Sequence, residues 1–154
     1  MEQKKPIKRH KAMQPLSREH HQGLLLSWKI RTGISKGVSA ERIKTYLNWF
    51  YATHLVPHFR TEEKLIFPIL GNDHELVKRA IAQHRRLERL FNTSTDLDRT
   101  ISLIEEELEA HIRFEERILF NKIQTVANEQ QFETIAKLHP ESKFTENSND
   151  VFWE

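Results

Sequence analysis

The chain of 154 residues contains no cysteine. That absence excludes a disulfide scaffold, thiolate zinc sites, cysteine-ligated iron–sulfur clusters and a cysteine nucleophile. Glycine and proline are also scarce, with 4 and 5 residues, which is too few for the turns of a β-sandwich, a β-barrel or a glycine-rich phosphate-binding fold. The composition therefore favours helices, and the length suits a single domain.

Long apolar runs and a strong charge imbalance are missing as well. No run approaches the ~20 apolar residues of a membrane span, and the N-terminus lacks the apolar segment of a signal peptide. Lys and Arg number 24 against 22 Asp and Glu, and residues 1–11 hold five of the cations and one of the acids. The rest of the chain is therefore slightly acidic, so we expect no nucleic-acid partner, no membrane partner and a cytoplasmic location.

Apolar residues recur at steps of three and four through four long segments, which start near Ser17, Ser39, Asp73 and Thr95. This period is typical of amphipathic helices, and serine at the first two starts can cap the helix. Pro57 falls inside the second segment and is expected to kink it. Four such helices with short links predict an all-α fold, an antiparallel up-and-down four-helix bundle.

The predicted organisation has three parts. Residues 1–14 form a basic, flexible N-terminal arm, residues 15–127 form the bundle, and residues 128–154 form a short helix and a C-terminal tail. The tail is polar but carries three large aromatic residues. We expect them to pack back on the body of the protein or on a partner, and they are Phe144, Phe152 and Trp153.

Nine histidines are the unusual feature that is present, because imidazole is the commonest metal ligand and a usual proton shuttle. His58 and Glu62 fall on the core-facing stripe of the second predicted helix, and His111 and Glu115 on that of the fourth. Residues four apart lie on one face of a helix, so both members of each pair should point into the bundle. The spacing alone is a weak signal, since it also arises by chance.

Both pairs lie within a longer repeated element. The segments HFRTEEKLIF (58–67) and HIRFEERILF (111–120) share a histidine, an arginine, two glutamates and the final phenylalanine in register. A bundle with pseudo-twofold pairing would bring the two segments to one level of its core. The other two helices each offer a core-side histidine, which is His84 in the third helix and either His20 or His21 in the first, and periodicity does not choose between the latter.

Two ionised carboxylates inside a bundle are costly unless something compensates their charge. Two divalent cations would do so, with each glutamate bridging both ions and the neutral imidazoles completing the coordination. Nitrogen and oxygen ligands without sulfur suit iron, manganese or zinc, and bridging carboxylates with histidine suit a dinuclear iron centre best. We therefore predict two iron ions as the cofactor, with other divalent metals as alternatives.

Several other polar residues lie near the predicted ligands in sequence. We expect Glu63 and Glu116 to pair with an arginine, to hold a ligand histidine or to be exposed to solvent. His54 should orient His58 or line a pocket, and His74 should lie at the start of the third helix in a loop or a capping position. No role is predicted for the two histidines of the terminal segments, His10 and His139.

Four segments in order, LSREHHQGLLL, HFRTEEKLIFPIL, IAQHRRLERL and HIRFEERILF, resemble the hemerythrin family, specifically the hemerythrin-like HHE cation-binding domains of bacteria. The resemblance covers about residues 16–126. It implies a four-helix bundle with a non-haem diiron centre, which in several members binds dioxygen. Carried over by motif, the implied metal ligands are His20, His58, Glu62, His84, His111 and Glu115.

The sequence departs from oxygen-carrying hemerythrins at two positions. Ala80 stands where the carriers have a second histidine in the third helix, which leaves one metal with fewer histidine ligands and an open or water-filled position. In the fourth helix Glu115 follows His111 at plus four, whereas the carriers have Asp at plus five. Both departures favour the broader HHE group over a dedicated oxygen carrier.

Three functions are compatible with these observations. The first is a diiron protein that binds or senses dioxygen, nitric oxide or iron, and a sensor of this kind would signal through a homodimer contact or a protein partner. The second is a diiron enzyme, such as a ferroxidase, a peroxidase-like enzyme or a nitric-oxide-handling repair protein. The third is an interaction module with a structural or empty site. We expect the first, and an enzyme is the less favoured alternative.

Overall fold

The computed structural model describes residues 8–154, so residues 1–7 of the predicted arm lie outside the described part. From residue 8 onward the chain forms helices and links without any β-strand, and the predicted all-α bundle is confirmed. No helix in this part combines the length and apolarity of a membrane span. The α-helices are α1 (Gln14–Ser35), α2 (Ala40–Phe50), α3 (Val56–Thr61), α4 (Glu75–Phe91), α5 (Leu97–Phe114), α6 (Phe120–Val126) and α7 (Glu129–Leu138).

Three π-helical turns join some of these helices into longer rods. Tyr51–Leu55 connects α2 to α3, and Glu115–Leu119 connects α5 to α6. A third turn, Glu62–Ile66, extends α3. The second bundle helix therefore consists of α2, a π-turn, α3 and another π-turn. The irregularity expected before Pro57 is the π-turn Tyr51–Leu55.

Local sequence explains where the helices begin. The Ser39 hydroxyl accepts a hydrogen bond from the Arg42 amide at 3.3 Å, which confirms its predicted capping role. The predicted cap at Ser17 is wrong, because α1 begins at Gln14 and the Ser17 hydroxyl donates to Glu116 instead. Pro15 lies in the first turn of α1, where a missing N–H removes no helical hydrogen bond. His74 Nδ1 accepts from the Leu76 amide at 3.1 Å, so its predicted capping role at α4 is also confirmed.

The segments at the two ends of the chain pack against the bundle. Arg9 Nη2 donates to the Glu116 carbonyl at 2.7 Å, and the His10 ring stacks on Phe132 of α7 at 3.6 Å. Phe152 near the C-terminus is only 1 % exposed and belongs to the hydrophobic core. The aromatic tail therefore packs on the body of the protein, which was one of its two predicted places.

The buried apolar residues form two separate clusters with a polar layer between them. Along α1, Leu16 belongs to one cluster and Leu26 to the other. Along α4, Ala80 belongs to the same cluster as Leu16, and Leu87 belongs to the same cluster as Leu26. Both helices therefore present apolar side chains on either side of one level of the bundle, and at that level their inward residues are histidines.

Candidate metal centre

Four parts of the bundle contribute to the polar layer. His20 comes from α1, His84 from α4, and the two repeated elements each supply a histidine and a glutamate. In both repeats the histidine lies in the last turns of an α-helix, and the glutamate is the first residue of the following π-turn. All six predicted ligand side chains are at most 4 % exposed, and they are His20, His58, Glu62, His84, His111 and Glu115.

The structure brings these six side chains together as two groups that share both glutamates. In the first group, His20 Nε2 lies 2.8 Å from Glu115 Oε1 and 3.3 Å from Glu62 Oε2. His58 Nε2 completes it at 3.2 Å from the same Glu62 oxygen.

The second group uses the other oxygen of each carboxylate. His84 Nε2 lies 3.1 Å from Glu62 Oε1 and 3.4 Å from Glu115 Oε2. His111 Nε2 lies 3.2 Å from Glu115 Oε2. Each glutamate therefore presents one oxygen to each group, which is the arrangement that lets a carboxylate bridge two cations.

The distances within each group match the edges of a coordination shell better than a hydrogen-bond network. Nitrogen and oxygen ligands lie about 2.1 Å from a metal such as zinc, so neighbouring ligands are about 3.0 Å apart at right angles and about 3.4 Å apart at a tetrahedral angle. Although these atoms are buried, several have no hydrogen-bond partner. They are the Nε2 atoms of His58, His84 and His111, both oxygens of Glu62, and Oε2 of Glu115. Buried polar atoms are rarely left unpaired, so the residues fit a bound cation.

The outer nitrogen of every inward histidine is held by a side chain from another part of the bundle. His20 Nδ1 contacts Glu116 at 2.7 Å, and His84 Nδ1 contacts Glu63 at 2.8 Å. An ionised carboxylate can only accept, so Nδ1 carries a proton, and Nε2 is the inward atom whose lone pair a cation could use once Nε2 has lost its own proton. Glu63 and Glu116 were predicted to pair with an arginine, to hold a ligand histidine or to be exposed, and the structure shows each of them with a histidine and with an arginine, Arg85 and Arg9 respectively.

Two further partners were not predicted from the sequence. Glu19 Oε1 lies 2.7 Å from His58 Nδ1, and Gln83 Oε1 lies 2.6 Å from His111 Nδ1. The second oxygen of Glu19 also contacts His139 Nε2 at 2.7 Å. The one signal in the sequence is position: Glu19 directly precedes His20, and Gln83 directly precedes His84.

Without a cation the groups hold one another as imidazolium–carboxylate pairs. Burial alone would lower the pKa of His20, but its contacts with Glu115 and Glu116 outweigh burial and hold the pKa well above the usual value. Burial likewise opposes the charge of Glu115, yet the neighbouring His111 and His20 keep its pKa well below the usual range. A metal ion that binds here must therefore displace protons from the histidines.

The remaining histidines have separate places in the fold. His21 is exposed, so the alternative left open for α1 is decided in favour of His20 as the inward residue. His54 is half-buried and lines a cavity beside the centre. His139, for which no role was predicted, connects the C-terminal segment to Glu19.

Ala80 is fully buried in the apolar cluster next to the centre. It occupies the position where the resemblance to oxygen carriers would place another histidine. Each of the two groups consequently contains two histidines.

A cavity of about 360 Å³ reaches the centre from one side. His20, His58 and His111 form part of its wall, and His139 and residues 141–144 of the C-terminal segment also line it. The cavity therefore leaves room for a small molecule next to three of the predicted ligands.

Comparison with known proteins agrees with this geometry. The family model described as the hemerythrin HHE cation binding domain matches residues 9–123. All six inward side chains lie within the matched range. No curated protein and no solved structure matched the chain.

Proposed function

The chain belongs to the hemerythrin HHE cation-binding domain family, and from this premise we propose that its buried centre holds two iron ions and binds dioxygen or nitric oxide. The observation that carries the proposal is the sharing of Glu62 and Glu115 between two histidine-containing groups, with one oxygen of each carboxylate in each group. A single ion would leave half of these buried donor atoms without a partner.

The donor chemistry favours iron. Each group offers two imidazole nitrogens and two carboxylate oxygens, which is a set that suits iron, manganese or zinc and gives no preference to copper(I) or to iron–sulfur clusters. The two carboxylates offset part of the charge of two divalent ions. Bound iron would supply the redox and ligand-binding chemistry that the side chains lack.

The proposed diatomic ligand is supported by coordination number and by access. Four protein donors per ion leave positions free in a six-coordinate shell, as in other non-haem iron sites with histidine and carboxylate ligands. The cavity lined by His20, His58 and His111 would give a small neutral molecule access to the centre. The apolar clusters on both sides exclude bulk water from it.

Metal analysis combined with optical spectroscopy tests the proposal. We expect the purified protein to contain about two iron ions per chain and to show a near-ultraviolet charge-transfer band of ferric iron. Anaerobic reduction should remove the band, and readmitted air should restore it. Protein that takes up no iron, or iron whose spectrum does not respond to this cycle, would contradict the proposal.

Matched variants assign the metal to the predicted groups. Glu115→Gln keeps the shape of the side chain but removes its charge, so the iron content should fall to one ion or fewer per chain. Glu106→Gln on the exposed face of the same helix should leave the iron content unchanged. Equal iron contents in the two variants would place the metal elsewhere.

A diiron enzyme is a second candidate, and the cavity favours it, because about 360 Å³ gives a reactant room beside the centre. An enzyme should turn over peroxide or ferrous iron many times per centre and faster than free iron does. A single stoichiometric reaction would instead support the binding function.

A further inference from the structure

The cavity beside the centre is larger than a diatomic ligand requires. A molecule of water takes up about 30 Å³ of the liquid, and dioxygen is of comparable size, whereas the cavity measures about 360 Å³. That volume lies within the range of sites for small organic molecules, about 300–1,000 Å³. Its size therefore points to an organic ligand.

Much of the cavity wall is apolar and aromatic. Phe50, Phe59 and Phe144 supply rings, and Leu108 and Ile112 supply aliphatic side chains. Such a wall favours a ligand with an aromatic body, since ring edges and faces pack against one another in tilted arrangements.

Charged groups around the cavity are already paired or lie at its solvent side. Glu19 contacts both His58 and His139, and at the solvent side Arg18 forms an ion pair with Glu141 at 2.9 Å. The other charged residue of the wall, Lys143, is exposed, so within residues 8–154 no unpaired charge is buried inside the cavity. The ligand should therefore be neutral, because burying an unpaired charge is costly.

Besides the Nε2 atoms of the predicted metal ligands, the described part of the wall holds one more buried side-chain atom without a partner. His54 Nε2 is buried and makes no hydrogen bond, although the ring packs among aromatic neighbours, at 4.6 Å from Phe144 and 5.1 Å from Trp49. Burial also lowers the pKa of His54, which favours the neutral ring. A nitrogen of a neutral imidazole either donates or accepts a hydrogen bond, and a hydroxyl group can pair with it in either case, because a hydroxyl group both donates and accepts.

We propose that this cavity binds a neutral aromatic alcohol, with its ring against the phenylalanine side chains and its hydroxyl on His54 Nε2. The binding energy comes from the apolar wall and from one hydrogen bond. It does not require a metal ion, so this inference stands or falls separately from the proposed diiron centre.

Titration with 1-naphthol, a bicyclic phenol that fluoresces, tests the proposal on the full chain. Naphthalene serves as the matched ligand without a hydroxyl group. His54→Phe keeps a ring in place and should weaken naphthol binding about five-fold, the effect of one hydrogen bond, without weakening naphthalene binding. Both ligands should bind equally to metal-free protein and to protein loaded with zinc.

A second pair of variants tests the location. Thr53 is exposed and lines the cavity, while the neighbouring Ala52 is exposed and does not line it. Thr53→Phe should narrow the cavity and weaken both ligands at least ten-fold, and Ala52→Phe should weaken neither. Circular dichroism checks that all variants fold.

Three outcomes would overturn the proposal. The first is the absence of saturable naphthol binding up to its solubility limit, which would mean that the cavity holds only water. The second is equal binding to all variants, which would indicate adsorption at the surface. The third is binding that disappears with the metal and is unaffected by His54→Phe, which would indicate direct coordination of the phenol to the metal.

Discussion

Each inward histidine uses its two ring nitrogens for different purposes. The Nε2 atoms point at the shared carboxylates, and the Nδ1 atoms are fixed by outer partners, which are Glu19, Glu63, Gln83 and Glu116. Three of these partners carry a negative charge, but the partner of His111 is a neutral amide. Since an outer partner orients a ligand imidazole, each of these contacts holds one Nε2 atom toward the shared carboxylates.

The adjacent pair His20 and His21 provides a test at this scale. His20→Ala should reduce the metal content to one ion or fewer per chain, because it removes an inward nitrogen and leaves Glu116 without its histidine partner. His21→Ala should leave the content unchanged, since this side chain is exposed. Metal analysis after dialysis checks both, and a reversed order would show that α1 is rotated about its axis.

The Gln83 contact provides a second test. Gln83→Leu removes the acceptor of His111 Nδ1 without removing any predicted ligand, so metal affinity should fall by about 10- to 100-fold. Gln130→Leu on the exposed face of α7 is the control. Competition with a chromogenic chelator measures the affinities, and an unchanged value for Gln83→Leu would mean that the ring of His111 is held by packing alone.

At the scale of the secondary-structure elements, the two repeated segments, 58–67 and 111–120, share a backbone feature that is not apparent from their amino-acid sequences. In both, the α-helix changes into a π-turn at the glutamate that follows the histidine by four residues. A π-turn fits one more residue into the helical turn and is frequent at functional sites. The histidine-to-glutamate distance is 3.2 Å in both repeats, so the same local geometry is built twice.

The contact between α1 and the C-terminal segment depends on a glycine. A Cβ atom at Gly33 would lie 2.8 Å from two ring atoms of Phe152 and 3.2 Å from Ile43 Cδ1. Gly33→Ala should therefore lower the free energy of unfolding by about 1–2 kcal/mol through overpacking, despite the gain of about 1 kcal/mol in helix propensity.

The same substitution in a Phe152→Leu background should have the opposite sign. A smaller side chain at 152 relieves the two shorter contacts, and a small shift of Ile43 Cδ1 accommodates the third, so the gain in helix propensity should exceed the remaining cost. Urea unfolding of the unchanged protein, the two single variants and the double variant gives the coupling free energy between positions 33 and 152. A Gly33→Ala variant that is stabilised even with Phe152 present would show that the ring does not pack on α1.

At the scale of the whole molecule, the C-terminal segment is held on the bundle by an ion pair between the partly exposed Glu146 and the buried Lys29. Glu146 accepts from Lys29 Nζ at 2.6 Å and from the Tyr46 hydroxyl at 2.5 Å. Lys29 also lies over the ring of Trp153 at 4.2 Å. This cluster anchors the C-terminal segment directly after His139 and residues 141–144, which line the cavity beside the centre.

Stability should depend on pH through this cluster. Burial opposes the charge of Glu146, but hydrogen bonds from Lys29 and Tyr46 outweigh it, so the pKa lies below the ordinary value of 4.5. The stabilisation is therefore complete above pH 4.5 and is lost as the pH falls through the lower pKa of the folded state.

Glu146→Gln isolates this contribution. At pH 7 the variant should be less stable by about 0.5–1 kcal/mol, since the carboxylate is partly exposed and screened, and the difference should vanish at acidic pH. Glu133→Gln on the exposed face of α7 is the control. A difference that persists unchanged at pH 3 would mean that the charge of Glu146 is not the cause.

The sequence by itself determined the helical class, the approximate extent of the four bundle helices and the two histidine–glutamate pairs. These features are local, because a period of 3.6 residues fixes which side chains share a helix face. Only the tertiary structure decided between His20 and His21, since neighbours on a helix differ by a rotation that depends on how α1 packs. It also decided that Glu19 and Gln83 face His58 and His111, which lie 39 and 28 residues away. Such contacts depend on the register between helices, and no local pattern in the sequence encodes it.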